Sequence, residues 1–322
     1  MPVNGRLLVY GATGYTGRLV ARRAVAIGLD VVVAGRDPDR VDELANELDV
    51  EGRTFEASEA REALEDIDCL LNVAGPFRHT ARPLMDACLD SGVHYLDTTA
   101  EFDTFVLAES LDRRASRAGI MLMSGTGWDV VPCDCLALHT ARRVAEPEKV
   151  TIALRVTGGF SRGSLASSAG IEELGTLVRR SGELVRLDTA TPRTFDFGAG
   201  PEKCLPVPMG DLITASRSTG LADIEVYLGT DDGFPATTTD GPTAEERARG
   251  HYHALAEVTG RDGQIARSLI TTPTGYTFTQ HSSVEIARRV LAGQFTAGYR
   301  TPASAYGAEL ATSIDGTTVT DL

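Results

Sequence analysis

Hydrophobic positions over residues 6–125 alternate between two periods. Residues 7–10 form a short apolar run. Residues 15–27 then place Leu19, Val20, Arg23, Ala24 and Ile27 at helical spacing, and Gly28 follows as a stop. Residues 29–36, "LDVVVAGR", are β-branched and continuous, the pattern of a strand buried on both faces. Residues 37–48 read as a helix with Asp37 as cap and Pro38 in its first turn. The alternation continues with a strand over 68–75, a helix over 81–92 and a strand over 93–99. A helix over 101–119 and a strand over 120–125 complete it. Strands and helices in strict turn, joined by short connections, predict a parallel, doubly wound α/β sheet of the Rossmann type.

After Pro132 the pattern loses this regularity. Residues 149–156 and 222–229 read as strands, whereas 164–183 and 243–260 read as helices. This predicts an inserted α+β second domain. The expected organisation is 1–130 for the dinucleotide-binding domain, 131–280 for a substrate or oligomerisation domain, and 281–322 for a segment packing back on the first. Residues 145–149, "AEPEK", are the linker candidate, and residues 282–293 form one more amphipathic helix.

Between the first strand and the first helix lies Gly11-Ala12-Thr13-Gly14-Tyr15-Thr16-Gly17, a G-x-x-G-x-x-G variant of the dinucleotide fingerprint. Spacing alone is equally compatible with a glycine-rich turn. The context, strand before and helix after, favours a nucleotide: Gly11 permits a tight turn, Gly14 exposes backbone amides to a pyrophosphate, and Gly17 lets helix and strand approach. The second strand ends in Gly35-Arg36, where an NAD enzyme places an acid. A guanidinium there suits a 2′-phosphate, so NADP is the expected cofactor. The competing readings are an Arg36 that merely pairs with Asp37 or Asp39, and an Asp37 that serves NAD.

Composition narrows the setting. A 322-residue chain with 42% hydrophobic and 24% charged residues is ordinary globular material. No apolar run approaches bilayer length, and the first strand begins too soon for a signal peptide, so a cytoplasmic location is expected. Five cysteines do not make a disulfide framework. Net charge is −14, and of 31 basic residues only Lys149 and Lys203 are lysines. That surface fits adaptation to concentrated salt, a halophilic character, and argues against nucleic acid or an anionic membrane as partner. A basic pocket within the acidic chain stays compatible with it.

In an open α/β sheet, ligands lie beyond the carboxyl ends of the strands, which nominates 72–77, 97–101 and 124–129. Asn72, Ala74, Gly75 and Pro76 fall beside the expected nicotinamide ribose, with Phe77 as a shield for the ring. A Tyr-x-x-x-Lys pair is impossible, because Ala145 and Ala199 precede the two lysines by four. Tyr95, His79, Asp97 and Asp129 remain as candidate proton donors, with a core reading beside Tyr95 and a solvated-loop reading beside His79. Cys133-x-Cys135 and His251-x-His253 lack second pairs at metal-binding spacing, so no metal is expected.

The blocks "GATGYTGRLV", "VAGR", "NVAGPF", "PLMDACLDSGVHYLDTTAE", "GTGWDVVPCDCLA", "GDLITASRSTGLADIEVYL" and "TPASAYG" stand in the order seen in saccharopine dehydrogenase-like oxidoreductases. The resemblance extends to the trans-acting enoyl reductases and runs along nearly the whole chain. It implies a Rossmann domain, NADP, and hydride transfer to or from a small or lipid-like substrate held between the domains. A homodimer is a candidate assembly. Ala100 stands where the family pattern has glycine. Two other readings stay open: a non-catalytic NADP(H)-binding sensor or regulator, and a nucleotide-sugar or nucleoside-phosphate enzyme using the same loop.

Overall fold

Apolar runs too short for helices are buried most fully as inner strands of a parallel sheet, and here Leu7, Leu8, Val9, Val32, Val33, Leu70, Leu71 and Leu122 lose all exposure. The computed structural model describes residues 5–156, 161, 174–229 and 241–322. In it β1 (Arg6–Tyr10), β2 (Asp30–Gly35), β3 (Glu51–Thr54), β4 (Cys69–Asn72), β5 (His94–Asp97) and β6 (Met121–Met123) share one sheet with the short strand Gly298–Tyr299. Every neighbouring pair is parallel. Across the sheet the order is Gly298–Tyr299, β6, β5, β4, β1, β2, β3. The order therefore reverses between β1 and β4, and a crevice opens beyond their carboxyl ends. The Rossmann-type sheet expected from the sequence is present.

Around it run α1 (Tyr15–Ala26), α2 (Pro38–Leu48), α3 (Ala60–Ala63), α4 (Phe77–Ser91), α5 (Phe102–Ser110) and α6 (Asp112–Ala118). Gly28 stops α1 with φ of 80°, and the Asp37 side chain accepts from the Arg40 amide at 3.2 Å to cap α2. Three details differ from the expectation. Helix α4 begins at Phe77, four residues before the expected start at 81, and carries Pro83 within it. The helix expected over 101–119 is two helices, broken at Leu111. Strand β3, "EGRT", was not expected: it is a polar edge strand paired only with β2, with no apolar alternation to reveal it.

The chain divides into two compact units. The first comprises residues 1–99, 103–127 and 279–300, and the second residues 100–102, 128–278 and 301–322. Among the described residues, the second unit holds a nine-stranded mixed sheet. Its central strand Pro147–Arg155 pairs parallel with Asp223–Gly229 and antiparallel with His251–Gly260. Helices α7 (Val131–Ala141) and Asp211–Thr219 belong to this unit. Proline at 147 opens a strand, so residues 145–149 are not a linker throughout. Of the helix expected over 243–260, only Ala244–Arg249 is helical. His251–Gly260 is a strand, because Tyr252, Ala254, Ala256 and Val258 recur with period 2 and are buried. His251 and His253 thus lie on a strand. In the helix expected over 164–183, residues 164–173 lie outside the described residues, and Thr176–Arg180 is a strand. Among the described residues no helix is long and apolar enough to cross a membrane.

Candidate functional site

The first unit's site is built where β1 gives way to α1. Gly11 adopts φ of 83°, and a Cβ there would lie 2.7 Å from the Ala74 Cβ and 2.8 Å from the Ala74 amide nitrogen. The glycine loop and the loop after β4 consequently touch. The amides of Gly11 and Ala12 donate to the Ala34 carbonyl at 2.9 and 3.0 Å, fastening the turn to β2. At Gly17 a Cβ would come within 2.7 Å of the Ala12 Cα, so any side chain would push α1 off β1. Gly14 is exposed and caps α1 with no side-chain hydrogen bond, and the first turn of α1 holds no acid. Tyr15 and Thr16 follow in that turn, half-buried. Backbone donors with the positive end of the helix dipole behind them, and no acid in that first turn, suit a phosphate.

The end of β2 determines what lies beside this loop. A Cβ on Gly35 would meet Val41 Cγ2 at 3.3 Å and Thr13 Oγ1 at 3.6 Å, so a side chain there would crowd Val41. The Thr13 carbonyl accepts from the Arg40 guanidinium at 2.7 Å. Arg36 is exposed, and among the described residues its guanidinium makes no hydrogen bond or ion pair, with Asp37, Asp39 or any other group. Asp37 is engaged as the α2 cap. Beneath lies Tyr10, its ring centroid 5.0 Å from that of Phe55. Burial and Glu56 push the Tyr10 phenol up to about 12 against the pull of Arg36.

A hydrogen-bonded chain crosses the carboxyl ends of β4, β5 and β6. Asn72 Oδ1 accepts from the Ala74 amide at 3.0 Å, and its Nδ2 donates to Thr80 Oγ1 at 3.1 Å and to the Tyr95 hydroxyl at 3.2 Å. Thr80 in turn donates to the Ala74 carbonyl at 2.8 Å. These bonds fix the loop carrying Ala74, Gly75 and Pro76. Its Gly75–Pro76 peptide is cis. Phe77 is buried at the first turn of α4.

Tyr95 and Asp97 are fully buried. Asp97 Oδ1 accepts from the amides of Thr99 at 3.0 Å and Gly125 at 2.9 Å, and Oδ2 accepts from Ser124 Oγ at 2.8 Å. The Asp97 carbonyl receives both the amide and the hydroxyl of Thr126. Burial raises the Asp97 carboxyl to about 6, against those amides and the hydroxyls of Ser124 and Tyr95, which pull it down. Burial likewise raises the Tyr95 phenol well above its ordinary range, with the Asp97 charge adding to it. His79 is exposed on the first turn of α4, where its Nε2 accepts from Arg78 Nε at 3.2 Å.

The structure thus brings Gly11 against Ala74, Gly17 against Ala12 and Gly35 near Thr13, and links Asn72, Tyr95 and Asp97 in one network. His79 stands outside that network. Ser124 opens the nominated stretch 124–129, whereas the sequence pattern did not single out Thr80 or Arg40. Each is a polar residue whose partner is a backbone group or a distant side chain, so local pattern carries no signal for it. Cys133 and Cys135 lie buried on α7, and among the described residues no group of His, Cys, Asp or Glu could hold a metal ion.

Comparison with known proteins bears out the resemblance. Residues 7–123 match the saccharopine dehydrogenase NADP binding domain. A protein of Mycobacterium tuberculosis named as a trans-acting enoyl reductase is 28% identical over 215 residues, covering 61% of this chain and 50% of its own length. A mitochondrial saccharopine dehydrogenase-like oxidoreductase of Arabidopsis thaliana is 26% identical over 239 residues, covering 67% of this chain and 51% of its own. The chain thus spans about half the length of these curated relatives. Among solved structures, apo saccharopine dehydrogenase (L-Glu forming) from Saccharomyces cerevisiae superposes with a TM-score of 0.69 at 12% identity. That match covers 99% of this chain and 100% of the other, and the two share a fold.

Proposed function

We propose, from the premise that residues 7–123 match the saccharopine dehydrogenase NADP binding domain, that this protein is an NADP(H)-dependent oxidoreductase. It would transfer hydride to or from a small or lipid-like substrate. The observation that carries the reading is the start of α1, a glycine-capped helix with no acid in its first turn, beside an Arg36 whose guanidinium is unpaired among the described residues. In this reading the backbone of Gly11, Thr13, Gly14, Tyr15, Thr16 and Gly17 holds the pyrophosphate, and Arg36 holds the 2′-phosphate. Gly35 favours the assignment, because no carboxylate at that position meets the ribose.

NADP(H) supplies the hydride chemistry when bound. The chain's own part is positional. Asn72 and Thr80 shape the loop of Ala74, Gly75, Pro76 and Phe77 against which the nicotinamide end would rest. Asp97, with Tyr95, holds the loop after β6 through amide and hydroxyl bonds. Of the four candidate proton donors, Tyr95, Asp97, Asp129 and His79, His79 alone is exposed to solvent.

The complete burial of Tyr95 and Asp97 favours a second reading, an NADP(H)-binding sensor without turnover. Single-turnover oxidation of bound NADPH, followed by absorbance across a panel of carbonyl and enoyl substrates, separates the two. Substrate-dependent loss of the reduced nicotinamide is expected. Tight NADPH binding with no oxidation across the panel transfers the assignment to the sensor. The acidic, lysine-poor surface further supports a protein suited to high salt.

A further inference from the structure

The second unit carries a feature that cofactor binding does not use. On one face of its sheet, Glu225, Thr151 and Glu257 stand side by side on three adjacent strands. The two carboxylates are nearly covered, with side-chain exposures of 10% and 12%. Lys149 Nζ lies 2.8 Å from Glu225 Oε2, and the Arg180 guanidinium also reaches Glu225. Arg193 lies 3.7 Å from Glu225 and 2.9 Å from Glu257, and donates to Thr151 Oγ1 at 3.2 Å. Its guanidinium carbon stands 5.7 Å from the centre of the Tyr227 ring and 5.0 Å from that of Phe195. Burial works to raise the Glu225 carboxyl, but the bonds from Lys149 and Arg180 hold it below the ordinary carboxylate range.

The charges are arranged in depth. The carboxylates form the floor, while Lys149, Arg180 and Arg193 keep 34–37% of their side chains exposed above it. Lys149, Arg180, Arg193 and Glu225 line a cavity of about 410 Å³, whose other walls are Val178, Leu187, Thr191, Pro206 and Tyr227. Three cations stand over two carboxylates there, in a chain of net charge −14 whose other lysine is Lys203. An ammonium has three donors and a guanidinium five, so Glu225 and its neighbours leave donor capacity unused. Leu187 remains 36% exposed beside the cations, an apolar surface without cover on the solvent side.

We propose that this cavity is a binding site for a small organic anion, a carboxylate or phosphate head group on a short apolar body. The head group would take the outward donors of Lys149, Arg180 and Arg193, and the body would cover Leu187, Val178 and Tyr227. Size agrees, since pockets for small ligands run from about 300 to 1,000 Å³. Every lining residue belongs to the second unit, so the site is independent of the glycine loop and of the cofactor assignment.

Calorimetric titration of the purified chain with hexanoate, hexyl phosphate, hexanol and hexyltrimethylammonium tests this. At least one of the two anions should bind, and the one that does identifies the head group. Hexanol should bind more weakly and the cation not at all. Lys149→Gln removes one cation, and Leu187→Glu puts a carboxylate at an exposed position on the rim. Each should weaken anion binding by about tenfold. NADPH titration of both variants should match the wild type and so report an intact fold. The proposal is overturned if neither anion binds at millimolar concentration, if the cation binds as well as the anions, or if both variants keep wild-type affinity.

Discussion

Asp97 shows how a single residue can matter at a site it need not touch. It accepts from two amides and two hydroxyls, and it ties β5 to the loop after β6. Its carboxyl titrates near 6 in the folded chain because burial outweighs those bonds. A carboxyl raised on folding favours the folded state most below its unfolded value and loses that contribution as pH rises through about 6. In Asp97→Asn, Nδ2 cannot accept as Oδ2 does, which costs about 1–3 kcal/mol. The penalty should be larger near pH 4 than near pH 7, read by urea unfolding at both. A penalty that grows with pH contradicts the assignment. The tight turn at Gly11, the close approach at Gly17 and the place of Arg36 just past β2 were legible in the sequence, because they follow from backbone conformation and position at a strand end. Thr80 and Arg40 were not, because each bonds a backbone carbonyl on another segment.

At the scale of elements, β1, β2, β4, β5 and β6 were legible as continuous apolar runs, since a strand buried on both faces needs no alternation. The polar edge strand β3 escaped for the opposite reason: it borrows its place from β2. His251–Gly260 was misread as helix because a short alternating stretch followed a true helical turn. The α1–β1 contact supports a sharp prediction. Gly17→Ala suits helix propensity but drives a methyl into Ala12, so it should destabilise the chain by about 2 kcal/mol or more. The same change should weaken NADPH binding. Thermal unfolding and a fluorescence titration read the two effects, and a variant as stable as wild type would refute the packing argument.

For the whole molecule, a net charge of −14 sets a repulsion that salt can screen. Melting temperature should rise by several degrees between dilute buffer and molar potassium chloride, and a flat response removes the high-salt reading. The family resemblance was legible because its blocks run through both units in order. The substrate was not, because the second unit's sheet is specified by strands whose pattern is irregular. In the proposed reading the first unit holds NADP(H) through the glycine loop and Arg36. It is tested most directly by titrating NADPH and NADH against wild type and Arg36→Ala, following nicotinamide fluorescence. Wild type should prefer NADPH, and Arg36→Ala should lose about 10- to 100-fold in NADPH affinity while NADH binding stays the same. Equal affinity for the two cofactors, untouched by the substitution, would contradict it.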